Sequence, residues 1–221
     1  MQKIDVRRII ILLSSEYGHP EWQPNHDPLG TLVQTILSQN TSDRNSHRAF
    51  ASLRASFPTW EELLTADVRE TAAAIRSGGL ADIKSARIKR TLEEIKRKRG
   101  RLELDFLNEL PIAGAREWLR QLPGVGTKTA NCVLIFALGR PALPVDTHVF
   151  RVSRRLGLVD PKASIEQAHR ILEEIVPPES VYQFHVLLIE HGRRVCKAQR
   201  PRCTECVLGK LCPSYELFTR V

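Results

Sequence analysis

Four cysteines near the C-terminus stand as Cys196-x6-Cys203-x2-Cys206-x5-Cys212, all within seventeen residues. Four thiolates at such separations satisfy either a tetrahedral zinc ion or a [4Fe–4S] cluster. Zinc sites come more often as two close pairs, and this segment has a single Cys-x2-Cys pair, which favours iron–sulfur and leaves zinc open. Disulfides are the third reading. They conflict with the compartment expected for the chain, because the longest early apolar run, Ile9 to Leu13, is too short for a membrane span and short even for a signal-peptide core. A cytoplasmic protein in a reducing environment is expected, with its cysteines used for metal or catalysis. Cys132 stands apart and reads as a small buried hydrophobe.

A second stretch carries different chemistry. Leu122-Pro123-Gly124-Val125-Gly126-Thr127-Lys128-Thr129-Ala130 lies directly before an apolar helical pattern. Two glycines one residue apart permit a tight turn and a close approach of the backbone to another group. The amides of such a turn, followed by a helix N-terminus, favour a phosphate, while Leu122 and Val125 anchor the turn in the core. Lys128 falls just inside that helix, where positive partial charge disfavours protonation of an amine. A lysine that gives up its proton attacks electrophilic sugar carbons or forms a Schiff base. Asp146 follows eighteen residues later in Val145-Asp146-Thr147-His148-Val149-Phe150-Arg151-Val152. It reads both as a helix N-cap and as a carboxylate able to take a proton or balance a developing sugar cation. His148 reads first as a residue of that capping turn and second as a DNA contact. Taken alone, Lys128 would be an ordinary surface lysine; the turn before it and the carboxylate after it raise the chemical reading.

The elements that must hold these residues are helices. Ile165, Ala168, Ile171, Leu172 and Ile175 share one face, as do Ala130, Val133, Leu134, Ala137 and Leu138, and stripes begin at Leu32, Ile36 and Leu37 and at Ala49, Phe50 and Leu53. Proline and glycine break the chain at short intervals, and no convincing strand alternation occurs. An all-α protein of short helices and tight turns is predicted. Lys and Arg number 33 against 25 acids, a net charge of +8, which points to an anionic partner such as nucleic acid. The basic run from Lys84 to Arg101 reads equally as a solvated helix face or a phosphate-binding one. The run from His191 to Arg202, free of acids and interwoven with cysteines, reads as phosphate-facing.

Leu122-Pro-Gly-Val-Gly-Thr-Lys-Thr-Ala and the Val145-Asp-Thr-His-Val-Phe-Arg-Val that follows resemble the endonuclease III branch of the helix-hairpin-helix DNA glycosylases. The cysteine spacing matches that branch's cluster loop residue for residue, so the resemblance implies a structural [4Fe–4S] cluster on Cys196, Cys203, Cys206 and Cys212. It implies two helical lobes with DNA in a groove between them. One is a six-helix bundle over residues 27–140 with the hairpin at about 115–138. The other joins residues 1–26 to 141–221 and carries the cluster loop, 196–212. By resemblance Lys128 is the nucleophile and Asp146 the catalytic carboxylate of a bifunctional glycosylase and abasic-site lyase. Gly124, Val125, Gly126 and Thr127 bind the DNA backbone through their amides, with His148, Lys197, Arg200 and Arg202 adding contacts. Leu80 resembles the side chain that wedges into the vacated stack, with a helix-capping contact as its plain alternative. Gln39 and Asn40 resemble the polar wedge on the opposite side. The implied partner is double-stranded DNA with damaged bases or abasic sites, bound by a monomer at the nucleoid.

Two segments depart from the usual pattern: Leu37-Ser38-Gln39-Asn40-Thr41-Ser42-Asp43, whose glutamine falls about one place early, and the Gly78–Asp82 turn. Oxidised pyrimidines are the expected substrate, with uracil or thymine in mismatches, or 5-methylcytosine, as the alternative. The chain is also similar to the core of plant 5-methylcytosine demethylases at Gly192-Arg-Arg-Val-Cys. An adenine-mismatch enzyme is disfavoured by Lys128 and by Thr35 at that branch's acid position. A non-catalytic binder of damaged DNA is the remaining class, and the presence of both Lys128 and Asp146 argues against it.

Overall fold

The computed structural model describes residues 5–219, and among them helices alternate with turns and no strand occurs, as the periodicity predicts. The helices are α1 (Val6–Tyr17), α2 (Pro28–Ser38), α3 (Asp43–Ser56), α4 (Trp60–Thr65), α5 (Val68–Ala74), α6 (Ala81–Arg99), α7 (Ile112–Arg120), α8 (Thr127–Cys132), α9 (Thr147–Arg155), α10 (Ile165–Ile175), α11 (Val181–Arg194) and α12 (Tyr215–Thr219). Their starts are written in the sequence. Asp27 caps the amide of Gly30 ahead of a Pro28 placed at the first helical position. Thr59 with Glu62, Asp67 with Glu70, and Ser164 with Gln167 each close a capping box.

The chain divides into two compact units. The bundle unit spans Pro24–Arg140; the cysteine-bearing unit combines the chain up to Gln23 with that from Pro141 onward. Residues 1–4 and 220–221, the ends of the expected second lobe, lie outside the described residues.

In the bundle unit α2 is buried nearly all round, from Pro28 to Leu37 with only Gln34 part-exposed, and packs against α3, α6 and α8. A helix apolar on every side belongs at the centre of a core. Around it α6 presents Ile88, Leu92 and Ile95, none of which has solvent exposure. The solvated-face reading of the basic run fails for two of its lysines. Lys84 and Lys89 are buried on α6, and their ammonium groups donate to backbone carbonyls. In the cysteine-bearing unit α11 packs against α1 and α9, with Ile9, Leu13, Val149, Val152, Phe184 and Leu188 forming the core. Gly192 makes the α9–α11 approach achievable, since a Cβ there would lie 3.0 Å from both the Cβ and Nδ1 of His148. Among the described residues no helix is long and apolar enough to cross a membrane.

Candidate nucleic-acid interface and cysteine site

The hairpin is built from α7 and α8. Past Arg120 the chain turns on two backbone bonds, Leu122 N–H to Leu119 O at 3.0 Å and Val125 N–H to Leu122 O at 3.2 Å. Both apolar side chains of the turn are buried. Gly124 sits at φ +75°, and a Cβ on it would lie 2.4 Å from Cδ of Arg87. The positive φ calls for glycine, and any larger residue would also have to displace the Arg87 side chain. Gly126 is the N-cap of α8 and supplies no side-chain oxygen, so no cap hydrogen bond covers the first amides of the helix. A Cβ at Gly126 would meet nothing within 4 Å, so the ground before those amides is open. Lys128 is the second residue of α8 and is half-buried. Thr91 Oγ1 donates to Pro123 O at 3.1 Å and Arg116 Nε to Asn131 Oδ1 at 2.7 Å, which ties the turn to α6 and the two hairpin helices to each other. Beyond Cys132 the helix widens into a π-turn over Val133–Ala137, a feature without a sequence signal.

Two further loops of the bundle unit hold residues expected as wedges. Asn40 follows α2 at φ +53°, and Leu80 precedes α6 at φ +51°. Asparagine visits this left-handed region readily, whereas leucine rarely does, so Leu80 is held there by its surroundings. Its side chain is 50% exposed, and its carbonyl accepts the Lys84 amide as the first bond of α6. Leu80 thus occupies the N-cap position without burying itself, which leaves it available to another molecule. Gln39 accepts a hydrogen bond from the Arg87 guanidinium through Oε1. Thr35 is buried and spends its hydroxyl on Thr31 O at 2.7 Å.

In the cysteine-bearing unit, an extended segment leads to Asp146. His169 Nδ1 donates to Leu143 O at 3.2 Å and His185 Nδ1 to Pro144 O at 2.8 Å, so each ring carries its proton on Nδ1. Asp146 then caps α9, its Oδ1 accepting the Val149 amide at 2.7 Å. The plain reading of Asp146 is realised, and it fixes the carboxylate in place. His148, in the first turn of α9, is half-buried with Nδ1 3.2 Å from Arg151 Nη2. Burial, reinforced by Arg151 and Arg193 and opposed by Asp146, holds its pKa below the usual imidazole value. Arg151 also donates to Gly192 O at 2.9 Å and to Cys196 O at 3.0 Å, so α9 is fastened to the start of the cysteine segment.

Cys196, Cys203, Cys206 and Cys212 are free, part-buried thiols, and all line one small pocket together with His191, Leu208, Tyr215 and Phe218. Burial pushes the Cys206 thiol up to about 11 and raises Cys203 and Cys212 as well, with the neighbouring thiols adding to each shift. Arg155 is the cation close to them. It donates to Cys196 Sγ at 3.3 Å and to Lys197 O at 2.7 Å, while its own carbonyl accepts from Cys212 Sγ at 3.3 Å. Four part-buried thiols lining one pocket have the donor chemistry for a multivalent cationic group, which would stabilise them as thiolates. Among the described residues no group of three or more Cys, His, Asp or Glu side chains is gathered as a single-ion site. Lys197, Arg200 and Arg202 are exposed, Arg202 with Nη1 3.7 Å from Glu205.

Each expected residue is therefore placed, Lys128 and the wedges in the bundle unit and Asp146, His148 and the cysteines in the other. Sequence reasoning missed Lys84, Arg87 and Arg155. Lys84 had a signal, since it lies one helical step before Ile88 and extends the apolar stripe of α6. The two arginines had none, because long cations look alike in sequence whether they meet solvent or a carbonyl.

Residues 33–178 match the family model described as HhH-GPD superfamily base excision DNA repair protein. The chain belongs to that family, and within it is an endonuclease III-like DNA glycosylase. It is 36% identical to endonuclease III of Thermotoga maritima over 86% of this chain and 84% of the relative. It is 42% identical to a candidate DNA glycosylase of Arabidopsis thaliana over 75% of this chain, which spans 56% of that protein's length. A solved structure of a trapped endonuclease III–DNA covalent intermediate superposes with a TM-score of 0.82 at 30% identity, covering 97% of this chain and 98% of the other.

Proposed function

We propose that this enzyme excises oxidised pyrimidines from double-stranded DNA and cleaves the resulting abasic site through a lysine Schiff base. The observation that carries this reading is Lys128, half-buried on the first turn of α8 directly behind the open glycine turn. A relative of 30% identity that forms a covalent intermediate with DNA supports it. After the damaged nucleotide rotates out of the duplex, the Lys128 amine, having given up its proton, attacks C1′ of the sugar. The glycosidic bond breaks and its electron pair leaves with the base, while the carboxylate of Asp146 balances the cationic character of the sugar. Opening of the ring gives a Schiff base that acidifies the C2′ proton. Loss of that proton expels the 3′ phosphate by β-elimination, and water then frees the lysine.

The amides of Gly124 to Thr127, together with His148, Lys197, Arg200 and Arg202, are assigned to the phosphates, and Gln39, Asn40 and Leu80 to the space left in the stack. Cys196, Cys203, Cys206 and Cys212 would hold a [4Fe–4S] cluster, whose contribution is to fold the segment that bears Lys197, Arg200 and Arg202.

Borohydride trapping tests the reading on duplexes holding an abasic site, an oxidised pyrimidine, a uracil or thymine mismatch, or 5-methylcytosine. A covalent adduct on the abasic and oxidised-pyrimidine duplexes is expected. Trapping on the mismatch or methylcytosine duplex instead would reassign the base. DNA binding with no adduct anywhere would overturn the lyase.

A further inference from the structure

Lys84 is 2% exposed, yet it carries an ammonium group into the bundle unit. Its Nζ donates to Leu37 O at 2.7 Å and to Gly78 O at 2.8 Å, and no carboxylate accompanies it among the described residues. Desolvation, with the Arg87 charge adding, lowers its pKa from the ordinary lysine value. Burying an ammonium group without a counter-charge is costly. Packing alone does not account for a lysine here.

Its two acceptors do. Leu37 O lies in the last turn of α2, where carbonyls lack helical partners, and Gln39 and Asn40 follow within three residues. Gly78 O closes the short turn Arg76–Gly78, and Leu80 stands two residues on in its left-handed conformation. Leu37 and Gly78 lie 41 positions apart in sequence, and the ammonium holds both carbonyls at hydrogen-bond distance. One turn along α6, Arg87 donates to Gln39 itself and lies against Gly124 of the hairpin.

We infer that Lys84 is a positioning residue for base extrusion: it sets the spacing between the Gln39–Asn40 loop and the Leu80 loop so that both enter the DNA stack in register. The inference rests on the wedge roles proposed above for those loops. A side chain of equal length without the ammonium would leave two buried carbonyls unpaired, and the loops would drift apart while α6 keeps its packing.

The test uses the full-length protein with Lys84→Met, Gln39→Ala and Leu80→Ala, and 2-aminopurine opposite a tetrahydrofuran abasic analogue in duplex DNA. Fluorescence at saturating protein reports unstacking. Strand scission is then compared between a natural abasic site in intact duplex and one in a bulge, where the nucleotide is already unstacked. For Lys84→Met the expected result is loss of most of the fluorescence rise and about a tenfold fall in scission on intact duplex, the scale of a small misplacement. Scission on the bulge should change less than twofold. Equal loss on both substrates would overturn the inference, because it would mark a general defect in folding or chemistry. Lys84→Gln, which restores one donor group, is expected between wild type and Lys84→Met. Failure of both variants to fold would also overturn it, making the lysine a requirement of the fold. Wedge variants indistinguishable from wild type would defeat the wedge reading itself. Defective wedge variants beside a normal Lys84→Met would defeat the positioning role alone.

Discussion

The two units hold their functional segments with the same device and differ in how much the device must carry. In the bundle unit, cations on α6 reach the carbonyls that end neighbouring elements, and the loops they hold are short. Asn40 and Leu80 each lie within two residues of a helix. In the other unit Arg151 and Arg155, both on α9, reach the carbonyls of Gly192, Cys196, Lys197 and Ala198. The segment beyond them, from Cys196 to Pro213, contains only two three-residue 3-10 turns and buries one apolar side chain, Leu208. Short loops between packed helices stay in place through their flanking elements. A long irregular segment with almost no core of its own needs an internal staple, and four thiols facing one space provide the place for it. The contrast predicts that the bundle unit is self-sufficient and that the cysteine segment is not.

The largest expected effect isolates chemistry from both devices. Lys128→Ala should reduce strand scission by about 10³-fold or more, because the nucleophile is gone. Its affinity for a tetrahydrofuran duplex should change by less than about threefold, the loss of one half-buried positive charge among several cations. A matching collapse of affinity would show that Lys128 binds rather than reacts. Next comes the staple. Cys203→Ser, or oxidative loss of a bound cluster, should remove amide exchange protection from residues 196–213 and lower DNA affinity at least about tenfold through Lys197, Arg200 and Arg202. Exchange in α2, α6 and α8 should be unaltered. Uniform loss of protection in both units would break the comparison.

The two regions also differ in what their sequences disclose. The hairpin turn, the capping residues and the helical class were readable because each depends on local chemistry: a glycine that a φ of +75° requires, an aspartate that bonds an amide three residues on. The cysteine spacing was readable for the same reason. Hidden were the features that depend on what packs across the chain. Lys84 and Lys89 carry the same charge as their solvated neighbours on α6, and only the partner carbonyls, 25 or more positions away in most cases, make them internal. The left-handed backbone of Leu80 contradicts its local preference and is imposed from outside. The departing segments Leu37–Asp43 and Gly78–Asp82 were opaque for a related reason, since Lys84 and Arg87 hold them through Leu37, Gly78 and Gln39.

Smaller effects sharpen the comparison within each unit. Gly124→Ala combines a positive φ with a clash against Arg87 and should cost about 1–3 kcal/mol, seen as a lower midpoint in chemical denaturation. Gly126→Ala, two residues away at φ −92° and facing open space, should cost less, about 0.5–1 kcal/mol, as the exchange of a favoured N-cap residue for a poor one. Equal costs would mean that the turn is not held against α6. The smallest effect is a pH dependence confined to the cysteine-bearing unit. Burial, with Arg151 and Arg193, holds the pKa of His148 in the folded chain below its ordinary 6.5. As pH falls through 6.5 the unfolded chain therefore takes up a proton that the folded chain resists. Stability is complete above that value and declines as pH drops toward the lowered one. His191, buried and lowered to about 4, contributes a decline of the same sign, so the measurement must be a difference. Melting temperatures of wild type and His148→Gln, followed from neutral to mildly acidic pH, should converge in the acid as the wild type alone loses the His148 contribution. Parallel curves would show that Asp146, the one acid acting on His148, already balances its burial.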